Sequence, residues 1–338
     1  MQIVRKQAYA RAGLVGNPSD GYHGKTIAIT VCDFSARVVL YEWEDVEIVL
    51  SGEDRTRFGS IGELAEDVQQ HGYYGGARLI KATIKKFYTY CCDQGEALNN
   101  RNFSIRYESD IPRQVGLAGS SAIIVATLRC LMAFYEISIP LAVQPSLVRE
   151  VETKELKIAA GLQDRVIQVY EGLVYMDFSG EQMQNQDGFE HGCYERMDPA
   201  MLPPLYLAFS TNLSQPTEVM HDNLRLRYEQ GTKSVLDAMD EFARLAADSR
   251  DALRVGDAVR LSCLMDENFD LRCAILPIPA GYVQMVEVAR SVGCSAKFAG
   301  SGGAIVGAYE DDAMFEKLKT ALARISCYTI KPKVAANL

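Results

Sequence analysis

The sequence is poor in the features that mark a membrane, secreted or nucleic-acid-binding chain. Among its 338 residues no apolar run reaches the ~18 needed to cross a bilayer. The N-terminus has no apolar secretory segment, so a cytoplasmic protein that does not engage membranes is expected. Nine cysteines are scattered, only Cys91 and Cys92 being adjacent, and none has metal-ligand spacing. That usage points to free thiols in a reducing compartment. Basic charge is in deficit, 35 Lys and Arg against 44 Asp and Glu, a formal net charge of −9. Phosphate backbones demand basic surface, so nucleic acid is excluded as the main partner. An anionic small molecule would have to be captured by local cations. What remains, 48% hydrophobic and 23% charged residues, is the make-up of an ordinary globular enzyme with one large or two smaller domains. Internal repeats and low-complexity tracts are absent.

The stretch with most chemistry is Ile111-Pro-Arg-Gln-Val-Gly-Leu-Ala-Gly-Ser-Ser-Ala122. It follows a β-type run (Phe103, Ile105, Tyr107) and opens an apolar helix over about 121–135. Pro112 stops the strand, and Gly116 and Gly119 let the backbone approach a ligand closely. Ser120 and Ser121 stand where a helix N-cap belongs. The first turn of a helix leaves N–H groups unpaired at the positive end of its dipole. A Gly-rich turn running into such an end is an anion cradle, and a Ser hydroxyl there can ligate phosphate-bound Mg²⁺. The alternative is a Gly-rich loop that only caps a buried helix.

Before this stretch, alternation predicts antiparallel strands over 3–9, 26–31, 36–41 and 46–50. The loop between the first two, Ala10–Gly24, carries Arg11 and Asp20. Asp20 would accept hydrogen bonds from hydroxyls and Arg11 would bind an anion; a tight connection whose Asp caps its own turn fits equally. Gly24-Lys25-Thr26 is not a P-loop tail, because position 19 is Ser. Residues 51–70 read as a polar surface excursion, and Tyr73-Tyr74-Gly75-Gly76 introduces a helix over 77–92 with Leu79, Ile80, Ile84 and Phe87 on one face. Those tyrosines would be core, or the floor of a nucleobase site.

Past Pro145 a helix is expected from Ser146 through Ile158, then Ala159-Ala-Gly-Leu-Gln-Asp-Arg165, a second helix and a strand over 172–177. On one straight helix Glu152 and Asp164 would lie roughly 18 Å apart, too far to share one phosphate group. Ala160-Gly161 offers a break that would fold the second carboxylate back. Residues 179–200 read as a polar loop, followed by a strand over 205–210, helices near 217–230, 233–253, 258–275 and 282–292, a strand, Gly-rich turn and strand over 295–307, a helix over 311–324 and a last strand. Gly300-Ser-Gly-Gly303 would form a second backbone wall for phosphates with Lys297 nearby, or a plain hairpin. It is not a dinucleotide fingerprint, since its third glycine would fall at Ile305.

Three blocks therefore stand in order: Arg11 with Gly16-Asn-Pro-Ser-Asp20, Pro112 with Gly116-Leu-Ala-Gly-Ser-Ser121, and Lys297 with Gly300-Ser-Gly-Gly303. In that order they resemble the three motifs of the GHMP small-molecule kinases. Further blocks resemble the plant-type glucuronokinases within that superfamily: Ala8-Tyr-Ala-Arg11, Gly72-Tyr-Tyr-Gly-Gly76, Asn102-Phe103, Ile111-Pro-Arg-Gln114, Ala160-Gly-Leu-Gln-Asp-Arg165, Asn268-Phe-Asp-Leu-Arg272 and Met285-Val-Glu-Val-Ala-Arg290. Ala118 departs from the pattern, many members having Gly there.

The resemblance implies an α+β, two-domain fold. Residues 1–195 would form a ribosomal-S5-domain-2-like split β-α-β domain and 196–338 a ferredoxin-like α+β domain. It implies ATP and Mg²⁺, with phosphoryl transfer to the anomeric hydroxyl of D-glucuronate, whose 1-phosphate would feed UDP-glucuronate salvage. Asp164 would be the base, assisted by Arg11. Asp20, Arg11, Asn17, Tyr22 and Arg113 would bind the sugar. Pro112, Gly116, Leu117, Ala118, Gly119, Ser120, Ser121, Gly300, Ser301 and Gly302 would bind ATP, and Ser121 with Glu152 would hold the metal. A uronate also needs a cation for its carboxylate, for which Lys6, Arg11, Arg113 and Arg165 are candidates. A kinase of another sugar, of fucose or heptose type, and a non-catalytic sugar and ATP sensor are the alternatives.

Overall fold

Strand β1 (Ile3–Val15) runs six residues past the point where its alternation stops. From Ala10 to Val15 every residue is buried, so both faces of the strand are covered and the polar alternation disappears. The two runs 26–31 and 36–41 are one strand, β2 (Lys25–Trp43), continuous through the half-buried Cys32, Asp33 and Phe34. The structure, a computed structural model, describes residues 2–49, 75–211 and 218–336. The excursion at 51–70 and Tyr73-Tyr74 lie outside the described residues.

β2 is the spine of a six-stranded sheet. β1 lies antiparallel along one side of it. On the other side its far half pairs with β4 (Asn102–Ser109) and its near half with β5 (Leu173–Asp177). β3 (Glu47–Val49) adds to β4 in parallel, where an antiparallel partner was expected. Helix α1 (Gly76–Asp93) and helix α2 (Gly119–Tyr135) pack against this sheet. Ile124, Leu128 and Leu131 of α2 are buried in the main core.

The expected long helix after Pro145 is shorter. α3 (Gln144–Glu150) passes into one π-helical turn, Val151–Glu155, and stops. The chain then doubles back through Gly161 into α4 (Gln163–Tyr170). The polar stretch 179–200 contains the hairpin β6 (Gln184–Gln186) and β7 (Phe189–His191), then β8 (Cys193–Met197), which pairs with β5. β8 crosses the position where the sequence places the division between halves.

The second half builds a four-stranded antiparallel sheet in the order β10-β11-β9-β12. Its strands are β9 (Leu205–Ser210), β10 (Lys297–Phe298), β11 (Ala304–Ala308) and β12 (Cys327–Ile330). Four helices separate β9 from β10: α5 (Glu218–Glu229), α6 (Lys233–Val255), α7 (Ala258–Ile275) and α8 (Ala280–Ser291). α9 (Asp312–Ala323) joins β11 to β12. This is the ferredoxin-like strand order with extra helices in the first crossover. One hydrophobic core runs through both halves, joining Ala10, Leu14 and Ile124 to Leu207, Leu245 and Val306. The Gly-rich segments meet at that seam.

Candidate active site

Arg11 lies on the fully buried part of β1 and is 5% exposed. Its guanidinium takes Asp164 as a fork, Nε to Oδ1 at 2.6 Å and Nη2 to Oδ2 at 2.8 Å. Nη1 donates to the carbonyls of Gly116 at 2.5 Å and Ala299 at 3.2 Å. One side chain thus touches all three sequence blocks. Burial would raise the Asp164 carboxyl, but the charges of Arg11 and Arg165 outweigh it and hold the group below its usual range. Asp164 is therefore an ionised carboxylate, able to accept a proton once a substrate oxygen becomes acidic.

The turn through Gly161 does what a straight helix cannot. Arg165 donates from Nε to Glu152 Oε2 at 2.7 Å and from Nη2 to the same oxygen, while its Nη1 lies 3.5 Å from Asp164 Oδ2. Glu152 is 2% exposed and Arg165 7%. The sequence reading puts adjacent helical side chains about 100° apart, but the long Arg165 side chain reaches both carboxylates. Both of its bonds fall on Oε2, so Oε1 of Glu152 stays outside the clamp.

Asp20 accepts from the backbone N–H of Gln163 at 3.1 Å. Its carboxylate fills the place beside Gly161: a Cβ there would stand 2.0 Å from Oδ2. Burial, helped by the negative charge of Asp164, raises the Asp20 carboxyl to about 6. Gln163, which sequence reasoning did not single out, bridges the two acids. Its backbone binds Asp20, its side chain helps hold the Asp164 carboxyl down, and its buried Oε1 has no partner. The signal for it was its place in the Gly-Leu-Gln-Asp-Arg block.

The remaining substrate-loop residues divide. Tyr22 packs its ring on Tyr228 of α5 at 4.7 Å. Asn17 is buried, its Oδ1 taken by Lys297 Nζ at 2.7 Å and its carbonyl by Asn268 Nδ2 at 3.2 Å. Lys297 also donates to the carbonyls of Gly13 and Phe298. Both side chains brace the loop from beneath. Lys6 is exposed on β1, and Arg113 is exposed at the start of the phosphate loop.

Helix α2 starts at Gly119, and its N-cap is Ala118 in the left-handed region at φ 62°. The two serines are not caps. They lie in the first turn, where Ser121 Oγ donates to the Ala118 carbonyl at 3.2 Å. Its N-cap residue, Ala118, offers no side-chain cap to the first-turn N–H groups. The third block closes on the second: a Cβ on Gly300 would stand 2.2 Å from the Gly116 carbonyl and 2.7 Å from Arg11 Nη1. Among the described residues no group of three or more His, Cys, Asp or Glu side chains forms a metal centre. A cation here would take few protein ligands and complete its shell with phosphate and water, as Mg²⁺ does.

Comparison with known proteins agrees with this geometry. The family model for the N-terminal domain of GHMP kinases matches residues 78–172. Glucuronokinase 1 of Arabidopsis thaliana is 42% identical over 341 residues, covering 99% of this chain and 93% of that protein. The chain belongs to the glucuronokinase family of GHMP kinases. Solved structures carry the same fold at low identity. Lactococcus lactis galactokinase complexed with galactose has a TM-score of 0.74 at 13% identity, covering 99% of this chain and 94% of that one. A D-glycero-D-manno-heptose 1-phosphate kinase from Bacteriodes thetaiotaomicron has a TM-score of 0.69 at 20% identity, covering 99% and 97%.

Proposed function

We propose that this chain transfers the γ-phosphoryl of Mg-ATP to the anomeric hydroxyl of D-glucuronate, giving the 1-phosphate. The observation that carries the reading is the Arg11 guanidinium, which joins an ionised carboxylate to two Gly-rich loops. Phosphoryl transfer needs positioning and charge neutralisation more than covalent chemistry. The N–H groups at the start of α2 and in 300–303 receive the phosphates. Ser121, whose hydroxyl spends its proton on Ala118 and keeps its lone pairs, and Glu152 through Oε1 would hold Mg²⁺. The metal's part is to neutralise phosphate charge. Asp20 accepts a sugar hydroxyl, and Asp164 takes the anomeric proton. An anomeric hydroxyl is more acidic than an ordinary alcohol, so a carboxylate held below its usual range suffices late in the transfer.

The carboxylate of the sugar needs its own cation. Arg11 and Arg165 have committed their forks to Asp164 and Glu152, and Lys6 is exposed on β1. Arg113 is exposed as well, and we assign the role to it because the phosphate loop carries it. The two halves, divided after β8 and not at 195, serve as two domains with the site between them.

The test is ADP release with Mg-ATP and a panel of D-glucuronate, D-galacturonate, D-glucose, L-fucose and a heptose phosphate. Turnover confined to glucuronate supports the reading. Turnover with a neutral sugar keeps the kinase chemistry and discards the uronate. ATP binding without any turnover points to a sensor.

A further inference from the structure

Among the described residues two buried cations around the site pair with no carboxylate, Lys297 of β10 and Arg272 of α7. Arg272 is 3% exposed. Its Nη1 donates to the carbonyl of Gly300 at 3.1 Å and its Nη2 to that of Ser301 at 3.4 Å. Its Nε is buried without a partner, and its charged centre lies 5.3 Å from the Phe298 ring. No ion pair given by the described residues includes it, whereas Arg11 and Arg165 each hold an acid. Burial pushes the guanidinium down to about 10; the charge of Arg11 pushes the same way, and Cys273 and the Asp20 carboxylate push against it without outweighing burial.

A buried charge without a counter-ion is costly unless something recovers the cost. The two carbonyls that Arg272 holds suggest what recovers it. In a trans peptide the carbonyl and the following N–H point in opposite directions. Drawing the Gly300 and Ser301 carbonyls toward α7 therefore turns the N–H groups of Ser301 and Gly302 away from it. The Ser301 nitrogen faces the other Gly-rich loop, 3.1 Å from the place of a Cβ on Gly116. That is the side on which phosphates would lie.

We propose that Arg272 is a positioning residue of the nucleotide site: its fork aims the Ser301 and Gly302 N–H groups at the triphosphate, and the bound anion is its counter-charge. This rests on the reading of 300–303 as a phosphate wall. Arg272 stands in the Asn268–Arg272 block, whose other end, Asn268, braces the substrate loop through Gly16 N–H at 2.6 Å. The block thus serves both substrates from one helix.

The experiment titrates the full chain with ATP, ADP and adenosine at one salt concentration, by calorimetry, for the native protein, Arg272→Gln and Arg272→Lys. Because attraction to a fixed charge scales with the charge attracted, Arg272→Gln should weaken ATP by about 30-fold, ADP by less, and adenosine by under about twofold. Arg272→Lys keeps the charge but loses the fork, so its loss for ATP should lie between native and Arg272→Gln. In steady state KM for ATP rises while kcat and KM for the sugar hold. An equal loss for all three ligands, or no loss for ATP, overturns the proposal. Should Arg272→Gln fail to fold, Arg272→Lys decides: a loss for ATP larger than that for adenosine supports the proposal, and an equal loss or none overturns it. Failure of the native protein to bind ATP would instead sink the kinase reading itself.

Discussion

Arg11 and Asp164 are joined by two parallel hydrogen bonds of 2.6 and 2.8 Å, although 153 positions separate them in the chain. The same guanidinium holds Gly116 and Ala299. The acid that would take the proton and the loops that would hold the phosphates therefore share one reference point. Lysine cannot reproduce a planar fork plus a third donor. Arg11→Lys is expected to lower turnover by about 10²-fold or more while the protein stays folded, checked by steady-state kinetics beside circular dichroism.

Asp164→Asn keeps the shape and removes the proton acceptor. Turnover should fall by about 10²- to 10⁴-fold with ATP binding retained. Near-normal turnover would remove Asp164 from the role of base.

Asp20 sets a pH dependence whose sign follows from its surroundings. Burial and the charge of Asp164 raise its carboxyl from 3.8 to about 6. The protonated acid is the poorer acceptor for a sugar hydroxyl, so kcat/KM for the sugar should climb as pH rises through about 6. Stability runs the other way. The folded state binds this proton more tightly than the unfolded chain, so the contribution is greatest at low pH and is lost as pH rises from 3.8 to about 6. Asp20→Asn should flatten both profiles. A rate profile that keeps its rise through that range in Asp20→Asn would assign it to another group.

Ala118 occupies a left-handed conformation at the start of α2, φ 62°. A Cβ there costs roughly 1–2 kcal/mol, of which glycine's larger unfolded-state entropy takes back part. Ala118→Gly should stabilise the chain by about 1 kcal/mol, read as a rise in Tm with KM for ATP unchanged. A fall in Tm would show that the alanine methyl makes up for its backbone strain.

Much of this architecture was legible from periodicity. The strands at 102–109 and 205–210 and helices α1, α6 and α7 follow single-faced or alternating patterns. The misreadings share a cause. Ala10–Val15 is buried on both faces, so the alternation that marks a strand is missing. The acid pair was legible as a possibility because Gly161 marks a break, but that Arg165 would clamp Glu152 depends on a side chain reaching across a turn. The role of Ser121 was masked by chemistry common to caps and first turns. Arg272 was marked only by its place in the Asn268–Arg272 block, and its role was hidden because its partners are backbone carbonyls, which any residue has.

The contacts of Arg11 have a bearing on how the molecule matures. Its partners lie 105, 153 and 288 positions away, so the last of them is made 288 residues after the guanidinium it must meet. Until Ala299 has been made and its strand docked, the guanidinium lacks one of its anchors and the two loops have no common hinge-pin. A nascent or truncated chain has no graded fraction of the finished site to offer. Competence arrives when segments 288 positions apart close around a single side chain.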